Sequence, residues 1–283
     1  MTVQSSAKPL DGRVAVIVGA SSGIGEAAAE HLAWLGAKVA VVARREGRLE
    51  DLVTRIEKNG GSAMGIAADV THADRLREVA DTVEEELGGA DLLFNNAGVM
   101  LLAPIEELRT DQWQHQIDLN ITGLMNAIGA FVPQLVRTAA ERGVADLVNT
   151  ASIAAHNIFP NFAVYCGTKA YVTQLSRNLR TELGAKQVRV SAISPGTVGT
   201  ELQSHVTDDG ARVAGFLQAD DGVAHAAGHR PDRRLHRDPA AAGEPAGGHR
   251  HADRPARLTA AHEPCRGRRR TARGSAAADL PVR

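Results

Sequence analysis

The sequence predicts an α/β fold, a single doubly wound parallel sheet followed by a disordered C-terminal tail. Short runs rich in valine, isoleucine and alanine alternate with longer amphipathic stretches, as in chains that alternate strands with helices. The short runs are continuously apolar, which is typical of parallel strands buried on both faces. From Asp221 to Arg283, by contrast, the chain contains no Ile, Phe, Tyr, Trp, Met or Lys.

The strands and helices follow one another regularly along the chain. Strands are predicted over residues 13–18, 38–43, 62–68, 90–95, 145–150 and 188–194. Helices are predicted over residues 23–35, 47–58, 73–87, 111–138 and 164–183. Because crossovers between parallel strands are right-handed, these elements predict one sheet with helices on both faces.

The predicted domain covers residues 1–220, and the predicted tail covers residues 221–283. Arginine, histidine, alanine, glycine and proline dominate the tail, and no helical or strand period persists in it. Such a segment cannot bury enough apolar surface to offset the entropy lost on ordering. We therefore expect the tail to be disordered.

The composition argues against several classes of function. A formal net charge of -1 gives no general attraction to nucleic acid or anionic membranes, and an aromatic content of 3% leaves few rings for stacking on bases. No stretch approaches the ~20 apolar residues of a membrane helix. The cysteines, Cys166 and Cys265, have no zinc-ligand spacing, so we expect a cytoplasmic protein without a metal site.

A glycine-rich loop follows the first predicted strand. In VGASSGIG, Gly19, Gly23 and Gly25 stand between that strand and the first helix. Glycines there let the backbone turn sharply and approach a pyrophosphate at the positive end of the helix. The alternative is an ordinary tight strand–helix turn. The context favours a dinucleotide site of the Rossmann type, with Gly19, Ser21, Ser22, Gly23, Ile24 and Gly25 as cofactor-binding residues.

The end of the second strand indicates which nicotinamide cofactor binds. An acidic residue there would bind the adenosine ribose hydroxyls of NAD, but the position is Ala43, followed by Arg44 and Arg45. Arginine suits a 2′-phosphate, and basic residues at a helix start oppose the helix dipole. A solvated basic helix start is the alternative. We expect NADP(H) as the cofactor, with Arg44 and Arg45 contacting the 2′-phosphate.

Four motifs in order resemble the short-chain dehydrogenase/reductase family. They are VGASSGIG, the NNAG run at 95–98, the Tyr165–Lys169 YxxxK motif and the Pro195–Gly196 pair. The resemblance extends from residue 10 to about residue 220. It implies an oxidoreductase that acts on CH–OH groups.

The YxxxK spacing places Tyr165 and Lys169 on one face of a helix. Hydride transfer to a carbonyl needs a proton donor, and a nearby ammonium is expected to lower the pKa of Tyr165. The resemblance implies that Ser152 polarises the substrate oxygen and that Asn120 anchors a water on a proton path. It also implies that Lys169 holds the nicotinamide ribose. A capping serine, a core tyrosine and a surface lysine are the structural alternatives.

The resemblance also assigns the remaining cofactor contacts. Asp69 and Val70 correspond to the pair flanking the adenine, and residues 96–98 correspond to the wall beside the adenosine ribose. A third segment corresponds to the one that touches the nicotinamide carboxamide. The residues implied are Asn96, Ala97, Gly98, Pro195, Gly196, Thr197, Val198 and Thr200, together with Tyr165 and Lys169.

The chain departs from the family pattern in several places, among them Val18, Ala155 and a longer stretch before the fifth strand. Val18 replaces the usual threonine before the loop, which removes a tie to the NNAG turn and is expected to loosen the site. Relatives also continue past residue 220 with a helix and a seventh strand that this sequence lacks. We hypothesise a frameshift in the coding sequence between Gly222 and Arg230.

The predicted function is hydride transfer between NADP(H) and a small aldehyde, ketone or hydroxy acid. One alternative is a protein that binds NADP but turns over poorly, because the last helix and strand are missing. A second is nucleic-acid binding through the basic tail, although Asp232, Asp238, Glu244 and Asp253 dilute its charge. The resemblance further implies a homodimer through the helices around 111–138 and 164–183.

Overall fold

The computed structural model describes residues 8–202 and the two residues Ala224–His225. Apart from Ala224–His225, the predicted tail lies outside the described residues, as do its boundary at residue 220 and most of the frameshift region. Those expectations therefore stay predictions.

The described chain alternates strands and helices. The strands are β1 Val14–Val18, β2 Lys38–Ala43, β3 Ser62–Ala67, β4 Leu92–Asn95, β5 Ala145–Thr150, β6 Val188–Ile193, β7 Val198–Gly199 and β8 Ala224–His225. The α-helices are α1 Gly23–Trp34, α2 Glu46–Lys58, α3 Ala73–Leu87, α4 Thr110–Ile117, α5 Leu124–Arg142 and α6 Ala163–Gly184. Short 3-10 turns lie at Ile105–Glu107 and Ile153–Ala155.

Strands β1 to β6 form one parallel sheet in the order β3-β2-β1-β4-β5-β6. The order reverses beside β1, so the chain winds outward in both directions from the centre of the sheet. This confirms the predicted doubly wound α/β fold. Ligands in such sheets bind at the carboxyl ends of the strands, next to the reversal. The parallel pair β7–β8 was not predicted, and it lies outside the main sheet.

Alternate residues of β1 supply the two faces of the core. Val16 belongs to a cluster with Phe131 and Leu135 of α5. Ile17 points to the opposite face, in a cluster with Leu49 of α2. All five residues of β1 are buried, which explains the uninterrupted apolar runs in the sequence.

The helix predicted over residues 111–138 is divided. Helices α4 and α5 are joined by a π-helical turn over Asp118–Gly123. Gly123 packs closely here, since a Cβ on it would lie 2.5 Å from Val70 Cγ2. Single π turns are frequent at functional sites, and this one carries Asn120.

The apolar character of this helical segment corrects a second expectation. The segment Thr110–Arg142 is long and apolar enough, by length and composition, to cross a membrane. However, half of its most apolar window is buried, and Phe131, Leu135 and Ala139 lie in the core against the sheet. Core packing therefore explains the composition of this segment.

An ionic network joins the amino ends of the central strands. Asp91, which is fully buried, accepts hydrogen bonds from Arg13 Nε at 2.6 Å and from Arg142 at 2.7 Å. Asp146 accepts from Arg13 Nη2 at 2.8 Å and from Nε and Nη2 of Arg189. Burial would raise the pKa of Asp146, but the hydrogen bonds from Arg189 and Arg13 hold it below its ordinary value. The network fixes β1, β4, β5 and β6 to one another at the end opposite the site.

We predict that Asp91→Asn lowers the free energy of unfolding by about 3–5 kcal/mol, because it leaves Arg13 and Arg142 facing an uncharged group at a buried position. Urea unfolding measures the change. The matched control is Asp74→Asn, which breaks an exposed ion pair with Arg77 on α3 and is expected to cost less than about 1 kcal/mol. Equal losses of unfolding free energy in the two variants would contradict the stabilising role of the ionic network.

Candidate active site

A cleft of about 420 Å³ opens at the carboxyl ends of the central strands. It brings together residues from the loops after β1, β2, β3, β4, β5 and β6. The predicted site residues that line it are Gly19, Ser21, Ser22, Gly23, Ile24, Arg44, Arg45, Asp69, Val70, Asn96, Ala97, Gly98, Ser152, Tyr165, Lys169, Pro195, Gly196, Val198 and Thr200. Three predicted residues do not line the cleft, namely Gly25, Asn120 and Thr197.

The glycine-rich loop packs backbone against backbone. Gly19 has φ +84, and a Cβ on it would lie 2.5 Å from Ala97 N. A Cβ on Gly25 would lie 2.2 Å from Gly19 O. Glycine is therefore required at both positions, and the first turn of α1 faces the cleft with its backbone N–H groups.

The loop stays tied to the turn after β4 although Val18 replaces a threonine. Asn96 Nδ2 donates to Gly19 O at 3.1 Å, and Asn96 N donates to Val18 O at 2.9 Å. Thr150 Oγ1 donates in turn to Asn96 Oδ1 at 3.3 Å. These bonds connect the ends of β1, β4 and β5, and the loosening expected from Val18 stays a prediction.

Arg45 lies beside the glycine-rich loop. Its Nη2 donates to Ser21 Oγ at 2.9 Å and to Ser22 Oγ at 3.0 Å. Arg44 is exposed and lies 4.0 Å from a carboxylate oxygen of Asp69. Ala43 ends β2 without an acidic side chain, so the cleft carries two cations where an NAD-type site has a carboxylate.

Glu201 is a cleft residue that the sequence analysis missed. Its carboxylate pairs with Arg45 Nη1 at 2.8 Å and with Arg48 Nη2 at 3.6 Å. The hydrogen bond from Arg45 holds the pKa of Glu201 below its ordinary value. No motif identifies Glu201 in the sequence. It is a single acidic residue directly after the predicted cofactor-binding segment, which ends at Thr200, and it has no characteristic spacing from other residues.

Ser152 and Tyr165 meet at the floor of the cleft. Ser152 follows β5 and caps the 3-10 turn, its Oγ accepting from Ala154 N at 3.1 Å. Burial raises the pKa of Tyr165, and a hydrogen bond with Ser152 lowers it by less. The expected net lowering of the Tyr165 pKa is therefore wrong.

The position of Lys169 explains this result. Its Nζ donates to Thr150 O at 2.9 Å and lies 5.8 Å from the centre of the Tyr165 ring. The ammonium is thus aimed at a backbone carbonyl. Burial lowers the pKa of Lys169 to about 8. The lysine therefore loses its charge more easily than an exposed one, although it remains charged at neutral pH.

Asn120 connects two of the segments that form the site. Its Oδ1 accepts from Val99 N at 2.8 Å, and its Nδ2 donates to Val99 O at 2.9 Å and to Thr168 Oγ1 at 3.1 Å. It thereby fixes the turn after β4 to helix α6 next to Lys169. The water-anchoring role of Asn120 remains a prediction, since both of its amide hydrogens have protein partners.

Residues 8–202 contain no cluster of side chains that could bind a metal ion. Groups of three or more His, Cys, Asp or Glu side chains suited to a metal do not occur there. The catalytic candidates are instead a hydroxyl, a phenol, an amine and an amide.

We predict that the buried Lys169 makes stability rise with pH. Because its folded pKa of about 8 lies below the ordinary value of 10.5, the unfolded chain binds an extra proton between these pH values. Relative to Lys169→Met, the wild-type protein should gain about 3 kcal/mol across this window. Urea unfolding of both proteins at steps between pH 8 and 10.5 tests this. If the free energy of unfolding changes with pH equally in the two proteins, the prediction is contradicted.

Comparison with known proteins agrees with this geometry. The family model described as short chain dehydrogenase matches residues 13–211. An uncharacterized oxidoreductase of Staphylococcus saprophyticus is 38% identical over 199 residues, which is 69% of this chain and 78% of that protein.

Solved structures show the same fold. A short-chain type dehydrogenase/reductase from Mycobacterium marinum has a TM-score of 0.68 at 32% identity, covering 77% of this chain and 85% of that one. A 3-ketoacyl-(acyl-carrier-protein) reductase from Brucella melitensis, complexed with NADH, has a TM-score of 0.66 at 28% identity, covering 72% and 83%. The chain is therefore a member of the short-chain dehydrogenase/reductase family and an oxidoreductase that binds a nicotinamide cofactor.

Proposed function

We propose that this oxidoreductase uses NADP(H) and transfers hydride to or from a small carbonyl or alcohol, such as an aldehyde, ketone or hydroxy acid. The observation that carries the choice of cofactor is the pair Arg44 and Arg45 directly after Ala43 at the edge of the cleft. Arginine binds phosphate through a planar fork of N–H donors, which matches a 2′-phosphate.

The residues present fit a dinucleotide. A Cβ on Gly19 or on Gly25 would collide with backbone atoms, so the loop packs this tightly only with glycine at both positions, and a tight glycine-rich loop at a helix N-terminus suits a phosphate. Asp69 and Val70 line the cleft beyond β3, on the same side as Arg44, where an adenosine would lie. Tyr165 and Lys169 line its other end.

The proposed chemistry uses the groups at the Tyr165 end. The bound nicotinamide supplies or accepts the hydride. In reduction, Tyr165 donates its hydroxyl proton to the substrate oxygen while Ser152 donates a hydrogen bond to the same oxygen. The raised pKa of Tyr165 keeps it protonated at neutral pH, which suits this role. The Lys169 ammonium lies 5.8 Å from the centre of the Tyr165 ring, so its charge offsets part of the cost of forming the phenolate.

The substrate proposal rests on the apolar surroundings of Tyr165. Leu202 lines the cleft and packs against a buried apolar cluster that Met100, Leu102 and Phe162 form with Tyr165. An uncharged carbonyl compound with a small apolar group suits these surroundings.

We also propose a homodimer through α4, α5 and α6. Ile117, Met125 and Tyr171 are each more than a third exposed on these helices, although they are large and apolar. Burying them against a second copy would remove that apolar area from water.

Of the two alternative functions, neither gains support from the described residues. Ser152, Tyr165 and Lys169 meet in one cleft, which favours an active enzyme over a protein that only binds the cofactor. The proposed nucleic-acid arm lies outside the described residues.

We predict that Arg45→Ala weakens NADPH binding about tenfold or more, because it removes charged hydrogen bonds to the 2′-phosphate worth about 1.5–3 kcal/mol. NADH affinity should change by less than about threefold, a margin that allows for the lost bonds to Ser21 and Ser22. Isothermal titration with both nucleotides measures the two affinities.

The control for this prediction is Arg77→Ala, which removes an exposed arginine from α3. It should leave both affinities unchanged. A wild-type protein that binds NADH more tightly than NADPH, or an equal loss of both in Arg45→Ala, would contradict the proposed cofactor.

A further inference from the structure

The Arg45 guanidinium donates hydrogen bonds both to the glycine-rich loop and to the carboxylate of Glu201. Its Nε and Nη2 donate to Ser21 and Ser22, while its Nη1 donates to Glu201 Oε2 at 2.8 Å. All three nitrogens thus have acceptors within the protein. The serine contacts hold the arginine beside the loop, and the Glu201 contact occupies its remaining edge.

The segment that carries Glu201 runs over the glycine-rich loop. A Cβ on Gly23 would lie 2.9 Å from Thr200 Cγ2, so Thr200 packs directly against the loop. Glu201 follows and reaches Arg45 from this position, and both residues line the cleft. The ion pair therefore bridges two sides of the cleft, the start of α2 and the segment after β7.

A 2′-phosphate and Glu201 would compete for the same cation. Both are anions that bind a guanidinium through oxygen atoms, and bidentate binding of a phosphate to Arg45 needs the edge that Glu201 occupies. Holding both anions beside Arg45 would place like charges next to each other. Glu201 has a second cation within reach, because Arg48 Nη2 lies 3.6 Å from its Oε1.

We propose that Glu201 is a specificity-determining residue that lowers the affinity for 2′-phosphorylated nucleotides by competing for Arg45. This inference rests on the proposed NADP(H) function. NADPH must displace Glu201 towards Arg48, whereas NADH leaves the ion pair in place. The preference for NADPH over NADH is therefore smaller than Arg44 and Arg45 alone would produce.

The solvent exposure of the Arg45–Glu201 ion pair determines how much its loss should change the affinity for NADPH. The side chains of Arg45 and Glu201 are 47% and 39% exposed, so the ion pair is solvated and contributes only modestly. We expect Glu201→Gln to bind NADPH about two- to fivefold more tightly than the wild-type protein does at low ionic strength. The ratio of NADH to NADPH dissociation constants should rise with it. The gain should shrink in high salt, because salt screens exposed charges.

The experiment titrates wild-type protein, Glu201→Gln and Glu46→Gln with NADPH and NADH by isothermal calorimetry, at low and high salt. Glu46→Gln is the matched control, since Glu46 is an exposed acid adjacent to Arg45 in the chain and is not among its hydrogen-bond acceptors. A rise in the preference for NADPH in Glu201→Gln but not in Glu46→Gln supports the proposal.

The other outcomes separate this inference from the proposed function. If the wild-type protein prefers NADPH and Glu201→Gln leaves that preference unchanged, the competition is overturned and the cofactor proposal stands. A weaker affinity of Glu201→Gln for NADPH would also overturn it, because Glu201 would then orient Arg45 for the phosphate. If all three proteins bind NADH and gain nothing from the 2′-phosphate, the cofactor proposal fails and this inference fails with it.

Discussion

The site depends on the close approach of two backbone turns, the loop after β1 and the turn after β4. Parallel pairing of Val18 with Asn95 brings the two strand ends side by side, and Gly19 then packs against Ala97 without room for a side chain. Asn96 ties the two turns together through Gly19 O. This contact sets where α1 begins and how the cleft opens. Behind it, Asn120 holds Val99 and Thr168, so helix α6 presents Tyr165 and Lys169 towards the same cleft.

The proposed catalytic groups are buried at a cost. Lys169 is buried with a lowered pKa, and burial also raises the pKa of Tyr165, so each ionised form is disfavoured by its surroundings. The ionic network of Arg13 with Asp91 and Asp146 connects the opposite ends of the same strands. The strands are therefore cross-linked at one end, while the unfavourable burial of Lys169 lies at the other.

Much of the fold and of the site was predictable from sequence because both depend on local patterns. Buried parallel strands leave uninterrupted apolar runs such as β1, and the glycine-rich loop, the NNAG turn and the YxxxK spacing each lie within one short segment. Three features depend on contacts between distant segments and were not predictable. The π turn at Asp118–Gly123 packs closely against Val70, Lys169 is directed at the carbonyl of Thr150, and the role proposed for Glu201 depends on a partner 156 positions away.

The central claim, that Tyr165 is the proton donor of a hydride-transfer enzyme, is tested most directly by the Tyr165→Phe variant. Turnover of NADPH with a panel of small aldehydes and ketones is measured for the wild-type protein and for Tyr165→Phe, together with the NADPH affinity of each. The account predicts that kcat/KM falls about a thousandfold while NADPH affinity stays within about threefold of wild type, since the hydroxyl acts on the substrate oxygen. A Tyr165→Phe variant that keeps turnover within about tenfold of wild type would contradict the account.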